Sequence, residues 1–257
     1  SLPHLVINTV GPFQRSAWEE RTKLEKPSTS TSPFAVAELC IENGIHYLDL
    51  ADGRDFVEDF SKELNEKAVK NGVVAITGAS SVPGISSAVL SHFNSEFSSL
   101  AQPQVIESME YCISPGNKAP RGESTMKSVL SYAGYPIPML ADGKTTSVIG
   151  WLGLKRESFP IIGDRYVSYC DVPDVTLFRK KYPYLKHLVF RAGLELKIFQ
   201  IALYAMAWLT RLGLVKKNWS TYSSQLKAIS EWFYPFGTNA GGMLIKLLSR
   251  TSEPQQQ

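Results

Sequence analysis

Three short turns hold the residues of this chain best suited to chemistry. Asn8-Thr9-Val10-Gly11-Pro12-Phe13 follows the apolar run Leu5–Ile7, Asp49–Gly53 follows Ile45–Leu48, and Thr77–Gly84 (TGASSVPG) follows Val73–Ile76. Asn8, Thr9, Ser80 and Ser81 can hydrogen-bond a ligand, while Gly11, Gly78 and Gly84 let the backbone approach one closely. The same residue types populate turns for conformational reasons alone, so both readings stay open for each turn taken singly. A fourth segment, Ser114–Thr125 (SPGNKAPRGEST), sets Lys118 and Arg121 among prolines. The planar fork of Arg121 suits a carboxylate or phosphate; a solvated basic loop is the alternative. His46 precedes Asp49 by three positions and could serve as an acid or base, although a lone strand histidine is more often simply packed. No His/Cys/Asp/Glu group has metal-ligand spacing, and no G-x-S-x-G nucleophile elbow is present.

The elements that must position these turns alternate regularly. The first strand, Leu5–Val10, leads to Arg15–Pro33, a charged and then Ser/Thr/Pro-rich insertion expected to be an exposed, irregular loop. Phe34–Asn43 reads as a helix with Val36, Leu39 and Cys40 on its packed face, stopped by Gly44. Strand Ile45–Leu50, helix Phe56–Asn71 stopped by Gly72, strand Val73–Thr77 and helix Ile85–Phe97 follow. Short loops between alternating strands and helices imply right-handed crossovers and a parallel sheet. The three turns then share one edge, where ligands bind in doubly wound folds.

Beyond Pro103 the pattern becomes an antiparallel α+β arrangement, with candidate strands at 105–113, 128–133, 146–153 and 166–170. Helices are expected at 176–182, 194–217 and 224–233, a strand or helix at 243–248, and a disordered tail. The segment 194–217 is the longest helical candidate and contains the apolar run Ile198–Leu209; Lys197, Gln200, Tyr204 and Arg211 fall near one face of the segment. The expected fold class is therefore α/β: a partial doubly wound, Rossmann-type parallel sheet lacking its first strands, plus an α+β second domain with a long apolar helix. Expected divisions are residues 1–102, 103–235 and a returning element with its tail at 236–257.

The 257 residues are 44% hydrophobic and 20% charged with a net charge of +3, enough chain for one large or two modest domains. Interspersed charges without a basic stripe exclude nucleic acid as the expected partner. The three cysteines, Cys40, Cys112 and Cys170, form no CxxC, which fits a reducing compartment and a cytoplasmic location.

Taken in order, VINTVGPF (6–13), VAELCIENGIHYLDLADGRDFV (36–57), AITGASSVPGISSAVL (75–90), ISPGNKAPRG (113–122), GWLGL (150–154), CDVPD (170–174) and RAGLEL (191–196) resemble the saccharopine dehydrogenase-like family of NAD(P)-binding oxidoreductases. The resemblance implies nicotinamide-cofactor chemistry, a hydride transfer at a C–N or C–O centre of a small molecule. It also implies cofactor contacts at Asn8, Thr9, Val10, Gly11, Pro12, Phe13, Asp49 and Ser80, and substrate contacts at Ser81, Asn117 and Arg121. Two departures stand out. The family's G-x-G-x-x-G-type turn, which holds the pyrophosphate, occurs nowhere in these 257 residues and is expected upstream, so the chain reads as N-terminally incomplete. Residues 15–33 also interrupt the passage from GPF into the following helix.

Two further readings stand beside the enzyme. One is a non-catalytic remnant that keeps the fold. The other is a protein associated with a membrane or lipid surface through 197–217, since that run falls short of the roughly 20 apolar residues of a membrane span. A core helix or a homodimer interface is the plainer reading of the same segment.

Overall fold

The computed structural model describes residues 2–11, 13 and 32–251. The expectations for Pro12, for the insertion up to residue 31 and for the tail fall outside the described residues. The chain divides into two units, residues 1–90 with 172–177, and residues 91–171 with 178–257.

In the first unit β1 (Leu5–Asn8), β2 (His46–Asp49) and β3 (Ala75–Ile76) form an open sheet in the order β1-β2-β3. Both pairings are parallel, with Asn8 opposite Asp49 and Leu48 opposite Ile76, so the carboxyl ends share one edge as the alternating pattern implied. Helices α1 (Ala35–Glu42) and α2 (Arg54–Lys70) are the two crossovers. Gly44 and Gly72 follow them with φ of 70° and 64°, the left-handed geometry that ends a helix cheaply at glycine. Both helices bury their apolar faces in one cluster: Phe34, Ala37, Cys40 and Ile41 meet Tyr47 of β2 and Phe60, Leu64 and Ala68 of α2. The expected packed face of α1 is thus rotated. Cys40 is buried, but Val36 and Leu39 are exposed, because Phe34, Ala37 and Ile41 fit the sheet instead. On the other sheet face Leu5, Ile7 and Ile76 are exposed. After β3 a single wide turn (Ser81–Ile85) runs into α3 (Ser86–Ser98).

The second unit is built on β4 (Gln104–Ser114), the longest strand. It contains α4 (Glu123–Ser131), β5 (Pro136–Ala141), β6 (Lys144–Ile149), β7 (Lys155–Phe159) and β8 (Gly163–Tyr169). Then come α5 (Asp174–Lys181), whose first turn belongs to the first unit, β9 (His187–Ala192), α6 (Lys197–Arg211), α7 (Ser223–Trp232) and β10 (Gly242–Thr251). The sheet order is β10-β4-β9-β5-β6, with β8 joining β9 to β7. β10 returns antiparallel along the whole of β4, from Gly242 opposite Ser114 to Thr251 opposite Gln104. The sheet is mixed rather than purely antiparallel, because β4 and β9 run parallel. Residues 128–133, read as a strand, lie largely in α4: its Leu130 is buried, and Trp151 donates from Nε1 to the Val129 carbonyl at 2.6 Å.

The long apolar helix expected over 194–217 is corrected. α6 has 15 residues, about 22 Å at the usual rise. Its inward stripe is Gln200, Leu203 and Ala207, whereas Ile198 and Ile201 are exposed. Gln200 is fully buried, accepting from Leu194 N and donating to Ser168 Oγ, each at 3.0 Å. A side chain placed on the outer polar face by its type is therefore the helix's inner anchor. No helix among the described residues is long and apolar enough to cross a membrane. The lipid-surface partner at 197–217 and the membrane-surface location are withdrawn with it. Nothing in the fold supports the homodimer or the cytoplasmic location.

Candidate functional site

At the carboxyl edge of the first sheet, one carboxylate organises two of the three turns. Asp49 ends β2 with no exposed surface. Its Oδ1 accepts from Ala51 N at 3.0 Å, Thr77 Oγ1 at 2.8 Å and Gly78 N at 2.9 Å. Its main-chain carbonyl accepts from Ala79 N at 2.9 Å. A short acceptor at a strand end thus closes its own turn and fastens the next strand's turn to it.

The first turn is tied in through Asn8. Its Oδ1 accepts from Val10 N at 3.0 Å, an Asx turn, and its Nδ2 donates to the Tyr47 hydroxyl at 3.0 Å. The Asn8 carbonyl accepts from Leu50 N at 3.3 Å. Burial holds the Tyr47 phenol far above its ordinary value, with donation from Asn8 acting the other way, so Tyr47 is a neutral scaffold residue. Ser80 donates from Oγ to the Val82 carbonyl at 2.6 Å, within its own turn.

The structure therefore gathers Asn8, Asp49 and Ser80 along one edge but commits their side chains to holding turns. Thr9, Val10 and Ser81 are exposed there, and Gly11 is half-buried. Phe13 packs edge-on against Phe56 at 5.1 Å. His46 sits at the opposite, amino end of β2. Its Nδ1 accepts from Val74 N at 2.9 Å and its ring meets His4 edge-on, so it does not join the turns.

Asn117 and Arg121 belong to the second unit. Asn117 is buried between two loops: its Oδ1 accepts from Arg121 Nη2 at 3.0 Å, and its Nδ2 donates to the Phe233 carbonyl at 2.9 Å. Arg121 is half-buried, and the contact uses one of a guanidinium's five donors. Beneath this loop lies Glu195, which residue-by-residue reading passed over. Its Oε2 accepts from Asn117 N at 2.6 Å and Thr238 N at 2.8 Å, and its Oε1 from Thr238 Oγ1 at 2.7 Å, with Arg165 Nη2 at 3.5 Å. Burial pushes this carboxyl up, but the donors from Asn117 and Thr238 and the Arg165 charge outweigh it, and the net result lies below the ordinary value. The available signal was a single acid between Leu194 and Leu196.

A separate cluster spans β4, β7, β9 and β10. Lys155 bridges Glu110 at 3.1 Å and Glu157 at 2.7 Å; Glu157 also pairs with Lys246 at 2.5 Å, and Glu110 with Arg191 at 3.5 Å. Each carboxylate already faces two cations. Cys112 lies beside them, its thiol pushed up to about 11 by burial, with the Glu157 charge adding to the rise. This cluster holds strands together and presents no activated nucleophile. Among the described residues no group of three or more His, Cys, Asp or Glu could hold a metal ion.

No protein-family model and no curated protein matches the chain. Among solved structures it is similar to apo histidine-tagged saccharopine dehydrogenase (L-Glu forming) from Saccharomyces cerevisiae, at 14% identity and a TM-score of 0.46. The match covers 62% of this chain and 37% of the yeast chain. It is a weak, partial likeness to a saccharopine dehydrogenase-like fold and nothing more specific.

Proposed function

We propose that this chain carries the nicotinamide-side half of the cofactor crevice of a saccharopine dehydrogenase-like NAD(P)-dependent oxidoreductase, one that moves hydride at a C–N or C–O centre of a small carboxylate-bearing molecule. The observation that supports this reading is the common edge formed by Asn8–Gly11, Asp49–Gly53 and Thr77–Gly84, the last two fastened together by the buried Asp49 and the first tied in through Asn8. Open α/β sheets bind ligands outside such strand ends, at a point where strand order reverses. The described strands run β1-β2-β3 without a reversal.

Within this reading the edge at Thr9, Val10, Gly11 and Ser80 lies against the nicotinamide end, with the exposed Ser81 as the substrate-facing residue of that edge; Arg121, in the second unit, is read by itself as a carboxylate binder. Asn8, Asp49 and Asn117 are positioning residues. The turns suit only part of the cofactor: no glycine-rich turn that would cradle its pyrophosphate occurs in this sequence, so no hydride step is drawn through it. Residues 1–102 are read as the cofactor-binding part and 103–235 as the substrate-binding part, each by itself.

The test is gain of binding. The 257-residue chain alone should bind NADPH no more tightly than about 100 μM, in the millimolar-to-micromolar range of few-contact ligands. Fusion at its N-terminus to a strand, glycine-rich turn and helix from a saccharopine dehydrogenase should tighten binding at least about tenfold. Low-micromolar binding by the chain alone, or no gain from the fusion once it is shown to fold, would contradict the proposal.

A further inference from the structure

We infer that Glu195 is a positioning residue that sets the orientation of Arg121 through Asn117, with Thr238 as its second point of attachment. This rests on the reading of Arg121 as the carboxylate-binding residue and names what controls it.

Every link is local to the second unit. Glu195 lies just before α6, 78 residues from Asn117 and 43 from Thr238. Its Oε2 accepts both the Asn117 and Thr238 main-chain N–H groups, so one atom fixes the start of the 117–121 loop against the loop after α7. The two loops also meet directly, with Lys118 N donating to the Thr238 carbonyl at 3.0 Å. Gly237 makes this closeness possible: a Cβ there would collide with the Asn117 Cβ and come within 2.9 Å of Glu195 Oε2.

With its main chain held by Glu195 and its Nδ2 by the Phe233 carbonyl, Asn117 has one arrangement in which Oδ1 can accept from Arg121. The fork of Arg121 is thereby aimed before any ligand arrives. Preorganisation of this kind lowers the ordering cost of a bidentate carboxylate contact. Arg165, 14% exposed, places a positive charge 3.5 Å from Oε1, beside the three donors that the half-buried carboxylate accepts.

The test reads Arg121 itself. Site-resolved labelling of arginines with phenylglyoxal, followed by peptide mass spectrometry, is compared among wild type, Glu195→Gln and Thr238→Val. Arg121 labelling should accelerate about fivefold in Glu195→Gln, the equivalent of one lost hydrogen bond. Thr238→Val, which keeps its main-chain donor, should give a smaller rise and carries the test where Glu195→Gln does not fold. Arg179, which donates to Thr145, is the reference and should be unchanged.

Arg121 labelling within twofold of wild type in folded variants would overturn the inference. So would equal acceleration at Arg179, which would mean general loosening. Succinate, added as a carboxylate probe, separates the two proposals. Protection of wild-type Arg121 supports the carboxylate reading, and its absence overturns that reading while the labelling rates still decide the role of Glu195.

Discussion

Two carboxylates in this molecule perform the same mechanical task in opposite sequence contexts. Asp49 holds its own turn and one 28 residues away, accepting from Ala51 N, Thr77 Oγ1 and Gly78 N. Glu195 holds two loops 78 residues before and 43 residues after it, accepting from Asn117 N, Thr238 N and Thr238 Oγ1. The first belongs to a parallel sheet whose neighbouring strands are consecutive in the chain. The second lies in the loop after β9, a strand of a mixed sheet closed by a strand that returns from the far end. The difference teaches that where chain neighbours are also space neighbours, a polar strand end is enough to mark an organising residue. Where they are not, the partners come from distant loops and the residue looks like any other acid.

The comparison is broken most sharply at Asp49. It is wholly buried, and truncation leaves the N–H groups of Ala51 and Gly78 without their acceptor. Asp49→Ala should therefore cost about 3–5 kcal/mol in urea unfolding, and Asp49→Asn, which keeps an acceptor oxygen, clearly less. A loss under about 1 kcal/mol for Asp49→Ala would mean that the turns hold themselves.

Glu195→Gln should have a smaller effect, about 1–3 kcal/mol near pH 7, because the amide oxygen retains part of the acceptor role. Its pH dependence sharpens the contrast. The folded carboxyl lies below its ordinary value. Its contribution is therefore fully present above the unfolded pKa of about 4.3 and is lost as pH falls through the lowered folded value. The gap between wild type and Glu195→Gln should be widest at neutral pH and shrink through that acid window. A gap that grows on acidification would reverse the assignment.

The legible part of the fold follows the same division. The three parallel strands and their crossovers could be read because apolar runs, glycine stops and short loops all lie within a few residues of what they control. The finer packing could not: Val36 and Leu39 match a helical face by spacing, yet Phe34 and Ile41 at its flanks take the core. In the second unit, β5 escaped notice behind Pro136 and Pro138, and β7 behind Lys155, Arg156 and Glu157, which lie in strands because of cross-strand partners. Gln200 misled for a related reason. Its amide is matched to Leu194 N and Ser168 Oγ, and neither lies within one turn of it on the helix. At the candidate site the residue types along the sheet edge were visible, but their division into turn-holding side chains and exposed groups depends on contacts between strands.

The measurement that bears most directly on the central claim is amide chemical-shift mapping of the ¹⁵N-labelled chain during titration with NADPH. If the edge formed by the three turns is the nicotinamide side of a cofactor crevice, the shifts should concentrate at Thr9, Val10, Gly11 and Ser80. Those at Ser80 should weaken in an Asp49→Ala variant that remains folded. Shifts that leave those four amides still and gather elsewhere, or that persist unchanged at Ser80 in the variant, would contradict the account.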